Sequence, residues 1–139
     1  MSTRPTILCI DDKEPNLLIR AKLLEVRGYN VIIANDDSSA LKAVKEQQVD
    51  LAVIDYHMER GANGEQIAKA LRVMYPNLPL LLLTGDPFVP QSARDSVDAC
   101  LIKGIHPATT LLNVIEKLLS QSRAAYLAIT GDYTHKPKQ

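Results

Sequence analysis

The chain has 139 residues, 46% hydrophobic and 23% charged, a size and composition that suit one domain around a single core and leave too little chain for two. Sixteen basic residues balance sixteen acidic ones, so no positive excess is available to drive direct nucleic-acid binding by counterion release. No apolar run approaches the ~20 residues that span a bilayer, and the opening Met-Ser-Thr-Arg-Pro-Thr lacks a secretory leader pattern, so a cytoplasmic protein without a membrane segment is expected.

The first apolar run, Thr6–Ile10, is strand-sized and is followed at once by Asp11 and Asp12. Leu17, Ala21 and Leu24 then recur at the spacing of one helix face, and Gly28 closes that helix. After a second strand at Asn30–Ala34, the residues Asn35, Asp36 and Asp37 offer caps for a second helix around Leu41 and Val44. A third strand, Leu51–Asp55, ends on an acid, and Ile67, Leu71 and Met74 mark the helix beyond it. Leu80–Thr84 is the fourth strand. Residues 86–98 contain Pro87 and Pro90 and only a weak rhythm through Phe88, Ala93 and Val97, which predicts a loop and about two helical turns. The fifth strand covers residues 99–103 and ends at Lys103. Leu111, Ile115 and Leu118 mark the fifth helix, with Pro107 in its first turn. Residues 123–139 are polar and read as a helix end with a flexible tail and no output domain, which leaves 1–122 as the folded domain.

The five strands lack in-out alternation, as a parallel sheet covered on both faces requires. Five βα units in a row predict an α/β fold: a doubly wound, flavodoxin-like three-layer sandwich with strand order 2-1-3-4-5. Cys9 and Cys100 lie within apolar runs and are expected to be reduced core residues.

Asp11, Asp12, Asp55, Thr84 and Lys103 all stand at carboxyl ends of strands, the edge of an open α/β sheet where ligands bind. Three carboxylates against Lys103 alone leave a formal −3 + 1 = −2, a deficit that a small hard dication closes; Mg²⁺ is implied, with Mn²⁺ a substitute. Asp55 is then a carboxylate placed to attack phosphorus. Asp12 and Asp55 hold the metal, Asp11 orients its waters, and Thr84 and Lys103 bind phosphoryl oxygens.

On Asp11-Asp12, Asp55, Thr84-Gly85 and Lys103, the chain resembles the response-regulator receiver domains of two-component signalling, over approximately residues 5–122. The resemblance implies a stand-alone phospho-accepting switch that takes its phosphoryl group from a histidine kinase or phosphotransfer protein and offers a changed surface to a protein partner. It implies a signalling domain that catalyses its own phosphoryl acceptance and dephosphorylation rather than an enzyme with a separate substrate. It adds the backbone carbonyl of His57 to the metal ligands. It also implies that Thr84 moves towards the phosphoryl group while an aromatic on the fifth strand turns inward.

Some positions depart from the family pattern. Cys100 holds the place of the switch aromatic, and Gly104 follows Lys103 where a cis-bonded proline is usual, so a trans or rearranged loop is expected. Glu59 follows Met58 in place of proline, and the loop to Gly64 is one residue longer. His57 and Asp86 would flank the phosphoryl group and tune its hydrolysis, while His106 has no assigned role. The alternative is a receiver-fold interaction module that works without phosphorylation. A flavodoxin-like FMN protein is disfavoured because Asp11-Asp12-Lys13-Glu14 would repel a phosphate.

Overall fold

Five parallel strands, β1 (Thr6–Ile10), β2 (Asn30–Ala34), β3 (Leu51–Asp55), β4 (Leu80–Thr84) and β5 (Ala99–Ile102), form one sheet in the order β2-β1-β3-β4-β5. The helices between and after them are α1 (Glu14–Val26), α2 (Asp37–Glu46), α3 (Gly64–Met74), α4 (Gln91–Asp95) and α5 (Ala108–Thr130). This computed structural model describes residues 4–130, with side chains as far as residue 122. The expected tail at 131–139 lies outside the described residues.

Because side chains alternate across a strand, each apolar run feeds two cores. Leu8, Ile10, Ala52, Ile54, Leu80 and Leu82 pack with Ala40 and Val44 of α2, Ile67 and Leu71 of α3, and Ala93 of α4. Their neighbours Ile7, Cys9, Val53, Leu81 and Leu83 pack with Leu17 and Leu24 of α1 and with Leu111, Leu112 and Ile115 of α5. The result is the doubly wound three-layer sandwich that continuous apolar strands require. Among the described residues, no helix is long and apolar enough to cross a membrane.

Helix starts are set by side chains. Asp36 caps α2 by accepting the Ser39 N–H at 2.8 Å, and Asn63 and Gln66 cap α3 reciprocally, each bond 2.9 Å long. α1 ends before Gly28, which adopts φ +93°. α4 has only five residues, in keeping with the two prolines and weak rhythm of its segment.

Two boundaries differ from those read in the sequence. β5 stops at Ile102, because Lys103 turns out of the ladder into a single bridge with His106 while its N–H still reaches the Thr84 carbonyl at 2.7 Å. α5 starts at Ala108, so Pro107 lies just outside the helix, its carbonyl accepting the Thr110 N–H. The described residues contain no cis peptide bond, and Gly104 makes the turn after Lys103 at φ +84°.

His106 has a structural task that the sequence did not announce. Its N–H donates to the Ile102 carbonyl at 3.0 Å, and its Nδ1 accepts the Ile102 N–H at 2.9 Å, so one residue satisfies both backbone groups at the end of an edge strand.

Gly64, buried at the start of α3, donates its N–H to the Tyr56 carbonyl, and a Cβ there would lie 2.5 Å from the Asp55 carbonyl oxygen and 2.7 Å from Tyr56 Cα. Both obstacles are backbone. Gly64→Ala is therefore expected to lower the unfolding free energy by about 1–3 kcal/mol, seen as a reduced urea midpoint. An unchanged midpoint would mean that α3 can slide away from β3 without penalty.

Candidate functional site

The register of the sheet brings the ends of β1, β3, β4 and β5 to one edge. Asp11 follows β1 and is fully buried, its N–H donating to the Ala34 carbonyl at the end of β2. Its Oδ1 accepts the Lys13 N–H at 2.9 Å, and its Oδ2 faces Arg20 Nη1 at 3.4 Å and Lys103 Nζ at 4.0 Å. Asp12 accepts the Glu59 N–H on Oδ2, while its Oδ1 is buried with no hydrogen-bond partner.

Asp55, 3% exposed at the end of β3, accepts a hydrogen bond from Lys103 Nζ at 2.5 Å. Burial pushes its carboxyl above the ordinary carboxylate range, and the Lys103 hydrogen bond and charge pull the other way. Oxygens of Asp11, Asp12 and Asp55 all lie within 4.8 Å of one another. That set of three hard donors, one with an unpartnered buried oxygen, fits a small divalent cation.

The pocket holds a second cation, which corrects the charge deduced from the motif residues. With Arg20 and Lys103 against three carboxylates the formal sum is −3 + 2 = −1, not −2. No motif marks Arg20. The available signal is its position three residues after Leu17 and four before Leu24, which puts an arginine on the buried stripe of α1, with its side chain only 10% exposed. The Glu59 amide is also a new element of the site, and it exists because the usual proline, which has no N–H, is replaced here.

The other candidates lie as follows. Thr84 is fully buried at the end of β4, between β3 and β5, and its hydroxyl accepts the Asp86 N–H at 2.9 Å and donates to the Asp86 carbonyl at 3.3 Å. Asp86 turns its carboxylate to the Phe88 N–H at 2.8 Å. The His57 ring is exposed and meets Tyr56 edge-on, the centroids 4.9 Å apart. Asp11, Asp12 and Asp55 are thus brought together, with Lys103 on Asp55, whereas the side chains of Thr84, Asp86 and His57 are engaged with their own loops. Cys100 is half-buried opposite Leu82, on the face covered by α2, α3 and α4.

Residues 7–116 match the response regulator receiver domain family. The chain is 30% identical over 133 residues to a two-component response regulator of Arabidopsis thaliana, an alignment covering 94% of this chain and 21% of that protein. It is 35% identical over 82 residues to the CAI-1 autoinducer sensor kinase/phosphatase CqsS of Vibrio cholerae, covering 58% of this chain and 12% of CqsS. The chain therefore spans about a fifth or less of the length of these relatives. In fold it resembles the response regulator TrrA of Thermotoga maritima, solved in complex with Mg²⁺-BeF, with a TM-score of 0.75 and 23% identity over 82% of this chain and 98% of that one. The CheY-like receiver domain protein of Methanospirillum hungatei gives a TM-score of 0.76 and 23% identity over 88% and 99%.

Removing one charge from the acidic cluster should stabilise the metal-free fold. Asp12→Asn is expected to raise the thermal midpoint in chelator by about 2–4 °C, corresponding to roughly 1 kcal/mol. A midpoint that stays put or falls would show that the three carboxylates do not repel one another in the folded chain.

Proposed function

The chain belongs to the response regulator receiver domain family, and from that premise we propose that Asp55 is the phospho-accepting residue of its signalling switch. One observation carries the reading: a nearly buried carboxylate at the end of β3 is paired with Lys103 from beyond β5 and sits within a cluster of three acids.

The proposed donor is a phosphohistidine on a histidine kinase or phosphotransfer protein. A carboxylate oxygen of Asp55 forms the new O–P bond as the N–P bond to the imidazole breaks, and the imidazole nitrogen keeps the electron pair. Lys103, already on Asp55, is placed to move its ammonium hydrogen bond to a phosphoryl oxygen. A Mg²⁺ or Mn²⁺ ion held by Asp12, Asp55, the His57 backbone carbonyl and, through water, Asp11 would offset the charge of the transferring group.

The proposed output begins at Thr84. Its hydroxyl must leave the Asp86 backbone to reach a phosphoryl oxygen, and Asp86 in turn holds the Phe88 N–H. Phe88 is the chain's only phenylalanine and is 87% exposed. With a cysteine at position 100, this chain of hydrogen bonds replaces a rotating ring as the link from site to surface. The second reading, an interaction module that works without phosphorylation, draws on the same Cys100.

Incubation with Mg²⁺ and acetyl phosphate should add one phosphoryl group to the wild type and none to Asp55→Asn, by intact mass. A wild type that gains no mass from acetyl phosphate or from a phosphorylated histidine donor favours the interaction module. The chain has no tryptophan, so Phe88→Trp provides a single reporter. Beryllofluoride with Mg²⁺ should shift its emission, and adding Thr84→Ala should abolish the shift. An equal shift without the Thr84 hydroxyl would disprove the route.

A further inference from the structure

We propose that Arg20 is a resident counter-ion of the acidic pocket that competes with the divalent cation for Asp11 and thereby sets how tightly the pocket holds metal. This rests on the metal-binding reading given above and extends it to a residue outside the motif.

The guanidinium is charged at every physiological pH, so its presence cannot be titrated away. It projects from the buried stripe of α1, and its Nη1 stands 3.4 Å from the Oδ2 of a fully buried aspartate. Lys103 cannot neutralise Asp11 in its place, because its ammonium lies 4.0 Å from that oxygen and is committed to Asp55 at 2.5 Å. Among the described residues, Arg20 is thus the side-chain cation nearest to Asp11.

The competition follows from charge. A dication entering the pocket raises its formal sum from −1 to +1, whereas without Arg20 the same step runs from −2 to 0. Arg20 therefore makes metal entry less favourable. It also leaves the loaded pocket positive, which suits the arrival of a dianionic phosphoryl group. Arg20 has room to retreat: with Ile19 and Leu23 it lines a cavity between α1 and the β5–α5 loop, whose other walls include Lys103, His106 and Leu111.

The role is that of a positioning residue, and metal affinity is its readout. Mg²⁺ is titrated calorimetrically into the wild type and into Arg20→Met, Arg20→Gln and Arg20→Lys, with thermal melts identifying folded variants. Met and Gln are expected to tighten Mg²⁺ binding roughly tenfold while lowering the midpoint in chelator; Lys should restore affinity to near the wild-type value. An affinity that is unchanged or weaker in a folded Met or Gln variant overturns the proposal, since a purely structural arginine would change the midpoint alone. Should both variants fail to fold, Arg20→Leu, which continues the apolar stripe of α1, takes their place with the same expected and overturning outcomes. Asp12→Asn separates the two levels. If it abolishes Mg²⁺ binding while Arg20→Met leaves affinity unchanged, only the counter-ion role fails; if Mg²⁺ binding survives it, the metal reading fails and this inference with it.

Discussion

The Lys103–Asp55 ion pair reaches across the end of β4, joining the chain beyond β5 to the last residue of β3. An acid that is 3% exposed loses most of its hydration, and burial has already pushed its carboxyl upward; the ammonium offsets that cost only where its geometry is good. Much of the β5–α5 connection supplies that geometry. The Lys103 N–H is held by the Thr84 carbonyl, Gly104 turns the chain, and His106 fastens the return to both backbone groups of Ile102. The ion pair is better understood as a device for placing a buried carboxylate against an ammonium than as a source of stability.

The same constraint governs the rest of the pocket. Like charges roughly 4 Å apart repel by about 4 kcal/mol even at an effective dielectric constant near 20, so three clustered carboxylates require partners. The fold provides them from four places: the Lys13 amide, the Glu59 amide, the Arg20 guanidinium and the Lys103 ammonium. One fully buried oxygen among the described residues, Asp12 Oδ1, has none. The site is therefore held together without being fully satisfied, and that residual demand is what a cation would answer.

The fold was legible because its signals are local. Continuous apolar runs announce strands covered on both faces, and right-handed crossovers leave few ways to order them. The acids and Lys103 were legible because each ends such a run. What escaped detection depends on tertiary placement. Arg20 looks like an ordinary helix arginine until α1 is laid against the pocket. Glu59 contributes only its backbone N–H, to which its side-chain type gives no clue, and His106 matters through a bond back to Ile102. The end of β5 was misjudged by one residue because Lys103 keeps one strand-like hydrogen bond after leaving the ladder.

The departures from the family pattern differ in what the structure does about them. Gly104 loses the fixed geometry of a proline, and the double hold of His106 on Ile102 makes up for it. Glu59 in place of proline gains a donor, which binds Asp12 and ties the β3–α3 loop to the end of β1. Both changes leave Asp11, Asp12, Asp55 and Lys103 gathered at the carboxyl edge of the sheet. Cys100 has no such counterpart: it packs as a small side chain opposite Leu82, beside a fourth helix of five residues, and offers no ring to turn. In the proposed route the Asp86 N–H donating to the Thr84 hydroxyl, and the Phe88 N–H donating to the Asp86 carboxylate, take the ring's place, because they link the hydroxyl at the end of β4 to a widely exposed aromatic. The proposed route requires no change to the acidic pocket, only that the β4–α4 loop be free to rearrange, and its two prolines and short helix leave few backbone hydrogen bonds to oppose that.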